Sequence, residues 1–389
     1  MTPGSPPLLG LYIHIPWCVA KCPYCDFHSL ARQGPLPEGP YVRALLDDLE
    51  HSREGLLGRE ISTIFFGGGT PSLFSGSAIA EILEGVSGRA ALAADCEITL
   101  EANPGTIDSR RFRAFREAGV TRLSLGVQSL HDPSLRRLGR IHDAREAHDA
   151  MEAAAGAGFR SFNIDLMYGL PDQTAAQALA DVRAVLAVAP PHLSLYELTI
   201  EAHTAFAHEP PPLPSEDERM AIEDAVTRAA GDAGYDRYEV SAYARPGYRC
   251  AHNLNYWRFG DYLGLGAGAH SKLTDAQGVT RMVRNPDPAA YMADRGRIAS
   301  RRRLARHELV FEFLLNALRL TEGFSQDMLR DRTGYDFMEL ESLWAPAFAR
   351  GLLEHEGDRM YTTPLGRRFL DALLAEFLAT TEIIPAEAS

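Results

Sequence analysis

Apolar runs rich in β-branched residues alternate with amphipathic stretches through the first half of the chain. The apolar runs, which we predict to be strands, are Leu8–Ile15, Ile61–Phe66, Glu97–Glu101, Arg122–Val127, Ser161–Met167 and His192–Leu198. The amphipathic stretches between them, which we predict to be helices, are Tyr41–Leu57, Ser77–Gly88, Asp108–Ala118, Ala144–Gly156 and Thr174–Ala189. Strands and helices that alternate about every thirty residues indicate βαβ units around a parallel sheet. Because a closed α/β barrel needs eight such units, we predict an open, partial (β/α)6 barrel of the TIM-like α/β class.

The pattern changes after the sixth predicted strand. Pro210–Pro214 is typical of a stiff, extended linker. Ser215 and Glu218 then form a capping-box sequence, which predicts the start of a helix. Arg237–Ala244 and Asp261–His270 have the composition of further strand or loop segments.

The last part of the chain is predominantly helical. We predict helices over Glu308–Leu320, Ser325–Arg330 and Phe337–Arg350, a hairpin over Glu354–Tyr361 and a last helix over Pro364–Leu378. Helices followed by a small hairpin and a helix are typical of a winged-helix-like module. We therefore predict three regions, which are a barrel core over 1–235, a barrel-associated extension over 236–300 and a mostly helical C-terminal domain over 301–389.

Composition and charge narrow the class of protein. The chain has 389 residues, of which 46% are hydrophobic and 23% charged, as in an ordinary globular protein with a large and a smaller domain. Its formal net charge of −13 argues against nucleic-acid binding, because no basic surplus is present to neutralise phosphates. For the winged-helix-like module, this acidity favours a docking or lid role over DNA binding.

Targeting features and cysteine usage predict a cytoplasmic protein. Met1–Pro7 has neither a basic nor an apolar region, so we expect no signal peptide. No uncharged run approaches about twenty residues, so we expect no membrane span. Peripheral association with a membrane is still compatible with this expectation. Three of the five cysteines lie on one loop, which leaves too few for the disulfide framework of a secreted protein.

The loop after the first predicted strand carries Cys18, Cys22 and Cys25. Three thiolates on one short loop can face one point, and their odd number prevents them from all pairing as disulfides. Structural zinc takes four ligands, and this loop supplies three. A four-iron cluster also has four corners, so three cysteines would leave one iron open for an exchangeable ligand. The competing interpretation is that the cysteines are merely buried, but their crowding into eight residues favours a cluster site.

Glycine-rich or polar motifs follow the other predicted strands where each strand ends. They are Gly67-Gly68-Gly69-Thr70-Pro71, Glu101, Gln128, Arg140 and Asp165. Parallel α/β barrels build their sites at the carboxyl ends of the strands, so we expect these motifs to share one site with the cysteine loop. Glycines let backbone groups approach a ligand, and an arginine can hold a carboxylate through two donors. The competing interpretations are a plain tight turn and a structural salt-bridge network.

A second unusual cluster is His252-Asn253-Leu-Asn-Tyr256-Trp257. One imidazole among large aromatic rings suits a flat macrocycle whose iron needs an axial ligand. Cys250 is an alternative ligand, although a small buried cysteine is the simpler interpretation. A histidine in such a setting is also commonly a satisfied core residue, so a core role for His252 is the competing interpretation.

The spacing Cys18-x-x-x-Cys22-x-x-Cys25 resembles the cluster loop of the radical S-adenosylmethionine (SAM) superfamily. This resemblance implies that the open iron binds the amine and carboxylate of SAM, and that an electron cleaves the sulfonium to a 5′-deoxyadenosyl radical. Residue by residue, it implies SAM contacts from Tyr12, Tyr24, Gly68, Gly69, Thr70, Glu101, Gln128, Arg140 and Asp165.

Within the superfamily, the chain from Tyr12 to the C-terminal helices resembles the oxygen-independent coproporphyrinogen-oxidase branch, most clearly in Asn163–Pro171. Two departures separate it from the coproporphyrinogen dehydrogenases. Phe27 stands where those enzymes have a fourth cysteine, and only eleven residues precede Tyr12 where they have a long extension.

The His-Asn-x-x-Tyr-Trp segment instead resembles the heme-binding motif of the HemW-type heme chaperones, as does the cysteine loop. This resemblance implies heme as cargo, contacts to it from His252, Asn253, Tyr256 and Trp257, and delivery to an acceptor such as a respiratory enzyme. We therefore expect a heme chaperone with a radical SAM core and no coproporphyrinogen dehydrogenase activity. The alternatives are a coproporphyrinogen III dehydrogenase and another radical SAM catalyst, such as a methyltransferase.

Overall fold

The computed structural model describes residues 7–32, 34–56 and 58–381. The predictions made for Met1–Pro6, for Leu57 and for residues 382–389 lie outside the described residues. The strands are β1 (Leu9–Ile15), β2 (Trp17–Cys18), β3 (Leu30–Ala31), β4 (Ile61–Gly68), β5 (Leu92–Ala102), β6 (Arg122–Gln128), β7 (Ser161–Tyr168), β8 (His192–Glu197), β9 (Asp236–Arg237), β10 (Ala242–Ala244), β11 (Asp261–Leu265), β12 (His270–Asp275), β13 (Gly278–Arg284), β14 (Ile298–Arg303), β15 (Phe324–Ser325), β16 (Leu353–Glu356) and β17 (Arg359–Thr362).

Twelve of these strands form one sheet, in the order β14-β13-β12-β11-β1-β4-β5-β6-β7-β8-β10-β9. β1 and β4 to β8 are parallel neighbours, and β11 also pairs with β1 in parallel. The sheet order begins and ends with antiparallel strands, so the parallel part stays open. The predicted open, partial (β/α)6 barrel is confirmed, and of its six strands only β5 begins well before its predicted start.

Helices connect the strands and cover the outside of the barrel. They are α1 (Glu38–Ser52), α2 (Gly76–Ser87), α3 (Ser109–Glu117), α4 (Asp132–Arg137), α5 (Ala144–Gly156), α6 (Ala175–Val188), α7 (Ala205–His208), α8 (Glu216–Asp232), α9 (Ala251–Trp257), α10 (Pro288–Met292), α11 (Arg306–Ala317), α12 (Gln326–Thr333), α13 (Glu341–Ala349), α14 (Pro364–Arg368) and α15 (Leu370–Thr381), with 3₁₀ turns at Arg53–Leu56, Pro71–Leu73, Pro104–Thr106 and Phe337–Leu340.

Local sequence sets where these helices begin and which face they bury. The capping box predicted at the start of α8 is confirmed, since the Glu218 amide donates to the Ser215 hydroxyl and the Ser215 amide donates to the Glu218 carboxylate. On α2, Ile79, Ile82 and Val86 recur at helical spacing and are fully buried. Burying each of these side chains stabilises the fold by about 2 kcal/mol relative to leaving it exposed.

The barrel strands sort their side chains into two faces. Along β4, Ile64 and Phe66 are fully buried towards the helices, whereas Thr63, Phe65 and Gly67 face the lumen, where they contact other lumen residues. This period of two holds from Thr63 to Gly67, after a register shift between Ile61 and Thr63.

The segment that follows α8 extends the barrel sheet at both of its edges. β9 and β10 add to the β8 edge, and β11 to β14 add to the β1 edge. Leu263 and Leu265 of β11, and Tyr291 of α10, belong to the same hydrophobic core as the barrel. The boundaries predicted at residues 235 and 300 stay predictions.

The C-terminal part has a hydrophobic core of its own, built by α11 to α15 and a small sheet of order β15-β17-β16. Phe313, Trp344 and Phe377 are buried in it. The prediction of a mostly helical C-terminal domain with a hairpin is confirmed, although β15 as a third strand and the break between α14 and α15 were not predicted. Among the described residues, no helix is long and apolar enough to cross a membrane.

Candidate cofactor site at the barrel rim

The cysteine loop, which runs from Pro16 to Ser29, is anchored to the barrel at both ends. The Trp17 ring is buried against Tyr41, with ring centroids 4.8 Å apart. β2 and β3 pair in parallel, so the Arg32 amide donates to the Cys18 carbonyl at 2.8 Å. Between these anchors, the Cys25 amide donates to the Cys22 carbonyl at 3.1 Å and forms a turn. The loop therefore holds its three thiols in a defined arrangement.

All three thiols line one cavity of about 320 Å³ at the carboxyl ends of the strands, here called the rim cavity. Burial raises the pKa of the Cys18 and Cys25 thiols. Within the described residues, no three His, Cys, Asp or Glu side chains are arranged to hold a single metal ion. A cluster differs from a single ion because each thiolate binds its own iron at a separate corner.

The glycine turn after β4 lies directly against the cysteine loop. The Gly69 amide donates to the Ile15 carbonyl and the Thr70 amide to the Trp17 carbonyl, both at 2.8 Å. A Cβ on Gly69 would lie 2.6 Å from the Trp17 oxygen, and Gly68 has a φ of +111°. Only glycine fits both positions without displacing the loop, so the two backbones form one wall of the rim cavity.

Two buried carboxyl groups, Glu101 and Asp165, face the rim cavity from β5 and β7. Burial and, to a lesser extent, the nearby Asp165 raise the pKa of Glu101 to about 8. The hydrogen bond from the Gly68 amide acts in the opposite direction and lowers the pKa. Burial also raises the pKa of Asp165, although Asn163 and Ser124 donate hydrogen bonds to it. Burial favours the protonated form of both groups, and at Asp165 the nearby Arg122 offsets this effect only in part, so a ligand with donors or a positive charge would satisfy them.

Arg140 crosses the mouth of the rim cavity. Its guanidinium donates to the Gly126 carbonyl at 2.7 Å and to the Asn103 side chain. It also lies 3.7 Å from the Cys22 sulfur, while its buried Nε has no partner. Arg140 therefore links the third and fourth strand ends to the cysteine loop and keeps a donor free.

Gln128 occupies a strained backbone position at the end of β6. Its φ is +71°, and the pairing of β6 with β7 shifts register between Gly126 and Gln128. The Tyr196 hydroxyl donates to its side-chain oxygen at 2.6 Å. Strained residues persist only where the surroundings over-determine them, as they do beside this cavity.

The structure brings nearly all of the predicted cluster and SAM residues into the rim cavity. Those that line it are Cys18, Cys22, Cys25, Tyr24, Gly68, Gly69, Thr70, Glu101, Gln128, Arg140 and Asp165. Tyr12 lies one layer deeper, where its hydroxyl bonds to His14 Nδ1 at 2.9 Å and its ring stacks on Phe65. Tyr12 supports the glycine turn from below, because a Cβ on Gly67 would lie 3.0 Å from its ring.

Sequence reasoning missed several residues of the rim cavity, namely Asn103, Ser124, Gly126, Ser194, Tyr196 and Ser241. Asn103 carried a usable signal, since it ends the third predicted strand beside Glu101. Ser194 and Tyr196 are polar residues two apart in the sixth strand, which is the spacing of one strand face. Ser241 had no such signal, because it lies on the connection to β10.

The predicted heme residues lie at the opposite end of the barrel. Asn253, Tyr256 and Trp257 lie with His252 on α9, which contacts the starts of β1 and β4. His252 is 2% exposed, its Nδ1 is hydrogen-bonded to the Thr63 hydroxyl at 2.8 Å, and its ring stacks on Phe65. Thr63 precedes Gly67 by four residues on one strand, which separates His252 from the rim by about 13 Å.

His252 is therefore packed as a core residue. Burial and, to a lesser extent, Arg122 together lower the pKa of His252 to about 3. Its Nε2 is buried without a partner. Coordination of heme iron by that nitrogen requires α9 to leave the barrel, so the prediction of an iron ligand stays a prediction. Cys250 is fully buried, and burial raises the pKa of its thiol to about 12.

Two family models match the chain. The Radical SAM superfamily model matches residues 12–184, and the HemN C-terminal domain model matches residues 304–369. The chain is 48% identical to "Heme chaperone HemW" of Escherichia coli (strain K12) over 374 residues, which cover 96% of this chain and 99% of that protein. This chain belongs to the HemW family.

Two further relatives match at lower sequence identity. It is 34% identical to "Heme chaperone HemW" of Mycobacterium tuberculosis (strain ATCC 25618 / H37Rv), with 97% of this chain and 96% of that protein covered. It is 36% identical to "Radical S-adenosyl methionine domain-containing protein 1, mitochondrial" of Bos taurus, with 97% and 88% covered.

Among solved structures, coproporphyrinogen III oxidase (HemN) from Escherichia coli matches with a TM-score of 0.81 at 23% identity, over 96% of this chain and 90% of that chain. At this identity the match shows a common fold. The radical SAM assignment implies a four-iron cluster and SAM as cofactors. The residues present fit both groups, because three thiols share one cavity with two carboxyl groups whose pKa values are raised by burial.

Proposed function

We propose that this protein is a heme chaperone that binds heme and transfers it to an acceptor protein, on a core that holds a four-iron cluster and SAM. The observation that carries the proposal is the match, along 96% of this chain, to a relative named as a heme chaperone. The rim cavity supports the cofactor part, since its lining joins the cysteine loop, the glycine turn and two buried carboxyl groups.

Cys18, Cys22 and Cys25 hold the cluster in this proposal. When bound, the cluster supplies the electron that cleaves the sulfonium of SAM. The anchored loop presents the thiols to the rim cavity, and the buried Arg140 guanidinium beside Cys22 stabilises thiolate charge there.

The SAM contacts are divided between backbone and side chains. The glycine turn with Thr70 leaves room for close approach to backbone groups. Glu101 and Asp165 accept hydrogen bonds from ammonium or hydroxyl groups, and Arg140 offers its free Nε to a carboxylate. Tyr24 and Gln128 complete the wall of the cavity, and Tyr12 supports it from the layer below.

For heme, His252 remains the proposed iron ligand, with Asn253, Tyr256 and Trp257 beside the macrocycle. The partnerless Nε2 supports this assignment, and the burial of α9 adds the condition that the helix is displaced. A His252→Gln variant tests it, because loss of the ligand shifts the Soret band of bound hemin. An unchanged band places the ligand elsewhere, with Cys250 as the next candidate.

Coproporphyrinogen III dehydrogenase is the second candidate function, and the HemN fold match favours it. Phe27 argues against it, because this exposed phenylalanine occupies the fourth-cysteine position of those enzymes. The deciding experiment is anaerobic reconstitution followed by two parallel assays, a hemin titration and a porphyrin-chromatography assay with SAM and a reductant. We expect hemin binding without conversion of coproporphyrinogen III, and repeated turnover would contradict the chaperone role as the sole function.

The proposal includes the division of the chain into 1–235, 236–300 and 301–389. The separate hydrophobic core of the C-terminal helices supports the last boundary. In this proposal the C-terminal domain is a docking or lid module for the acceptor. A respiratory enzyme is an example of such an acceptor.

A further inference from the structure

A second cavity of about 460 Å³ lies between the barrel rim and the C-terminal helices. Its walls come from the ends of β7 and β8, from α8, and from α14 and α15. We call it the lateral cavity. It adjoins the rim cavity directly, since Tyr24, Cys25 and Phe27 line both. Its volume is in the range of about 300 to 1,000 Å³ typical of small-molecule sites.

Part of the lining of the lateral cavity is apolar. Phe27 on the cysteine loop is 60% exposed, and it faces this space with Met167, Leu195, Val240 and Leu370. An exposed phenylalanine next to such residues is a surface that water solvates poorly. A flat apolar ligand would cover it.

The lining also includes an arginine that forms no ion pair among the described residues. Arg367 of α14 is half-buried, and within the described part of the chain its guanidinium makes no hydrogen bond and no ion pair. The carboxylate near it, Glu223, already pairs with Arg237 at 3.3 Å and with Arg368 at 4.0 Å. Burial lowers the pKa of Arg367, and the neighbouring Arg237 lowers it further. Arg367 therefore shares the charge of Glu223 with two other arginines and has no carboxylate of its own among the described residues.

A second arginine lies across the cavity. Arg319 pairs with Glu239 at 3.0 Å, covers the Trp257 ring at 4.3 Å, and has a buried Nε without a partner. It connects the lateral cavity to α9, which carries His252.

The other acidic residues of the lateral cavity form no ion pair with Arg367 within the described part of the chain. Glu197 pairs with Arg219 at 3.3 Å, in addition to the pairs of Glu223. The other acidic lining residues, Asp26, Glu201 and Asp371, are exposed at the surface.

We propose that the lateral cavity binds the tetrapyrrole cargo, with the flat ring against the apolar wall and its carboxylates on Arg367 and Arg319. A porphyrin that carries two propionates has this chemistry, because it joins a large apolar face to two anions that an arginine can hold through two donors. The inference rests on the proposed function, since it names a second position for the cargo of that function, distinct from the iron-ligating position proposed at His252. In this second position the macrocycle lies beside the cysteine loop, and α9 stays in place.

Metal-free protoporphyrin IX is the probe that tests this inference, because it carries the carboxylates but no iron and so cannot report on His252. It is titrated into the anaerobically reconstituted full chain by fluorescence, in parallel with its dimethyl ester. The variants are Arg367→Gln and, as a matched control, Arg350→Gln, whose guanidinium pairs with the exposed Glu376 in the same domain at 2.9 Å.

We expect Arg367→Gln to weaken protoporphyrin IX binding by about tenfold or more, the effect of losing one charge-assisted contact. Binding of the dimethyl ester should not change, and Arg350→Gln should bind both probes as the wild type does. Arg367→Lys should retain part of the affinity, because it keeps the charge but not the two-donor geometry. Melting temperatures verify that the variants are folded.

Equal affinity of the wild type for the acid and the ester would overturn the inference, as would an unchanged Arg367→Gln variant. If hemin still binds in either case, the chaperone proposal stands and only this site is wrong. If hemin fails to bind to the wild type at all, the proposed function itself fails.

Discussion

Acidification from about pH 7.5 to about pH 5 should destabilise the fold through His252, and the His252→Gln variant should lose less stability than the wild type. The imidazole is buried at the amino end of the barrel, where it bonds to Thr63 and stacks on Phe65. A proton on His252 would place a buried charge near the positive charge of Arg122. The folded chain therefore keeps this ring neutral.

The pKa values give the size of the effect. The pKa of His252 is about 3 in the folded chain, against an ordinary value of 6.5. Below pH 6.5 the unfolded chain binds a proton at His252 that the folded chain does not bind. The free energy of unfolding therefore decreases as the pH is lowered, until about pH 3 is reached. Between about pH 7.5 and pH 5, the protonation of this one group in the unfolded chain lowers the free energy of unfolding by about 2 kcal/mol.

Urea unfolding of the reconstituted protein, followed by circular dichroism at both pH values, measures the decrease in the free energy of unfolding. Burial also lowers the pKa of His14 and His142, each to about 4, and these groups destabilise wild type and variant equally in acid. The difference between the two proteins therefore isolates His252. Thr63→Val is the matched control, because it removes the same hydrogen bond but keeps the titrating ring, and it should show the full wild-type loss.

An acid-induced loss in His252→Gln as large as that of the wild type would refute this reasoning. It would mean that His252 accepts a proton within the fold and so reaches solvent. Such an open α9 would at the same time make His252 accessible to heme iron in the resting protein.

Three further changes probe the rim cavity. Replacing all three of Cys18, Cys22 and Cys25 by alanine should abolish the cluster. Iron analysis and visible absorption after reconstitution measure this, and a retained cluster would contradict the assignment. Gly69→Ala should weaken SAM binding in equilibrium dialysis and destabilise the fold by about 1–3 kcal/mol, since the added Cβ would lie 2.6 Å from a backbone oxygen of the cysteine loop. In wild type, SAM affinity should fall by up to about tenfold for each pH unit below pH 8, because the raised pKa of Glu101 leaves its carboxyl protonated there and less able to accept from the ammonium of SAM. Glu101→Gln should flatten this dependence in isothermal titrations, and an equally steep variant would exclude Glu101 as the group responsible.

The sequence alone was sufficient for features that depend on local spacing. The alternation of strands and helices predicted the open barrel, because periodicity and capping residues act within one element. The cysteine spacing placed Cys18, Cys22 and Cys25 on one loop, where no distant contact is needed to bring them together. Strand ends were also informative, since parallel strands present their carboxyl ends at one edge, and Glu101 and Asp165 meet there.

The tertiary structure decided what depends on packing between distant segments. The amino-acid sequence around His252 does not indicate whether this motif lies on the surface or inside the barrel. The path of α9 between the two sheet edges is what buries His252 against Thr63. The lateral cavity likewise joins Phe27 to Arg367, which are separated by most of the chain. No periodicity links such positions, because their proximity results from how the C-terminal helices pack on the barrel rim.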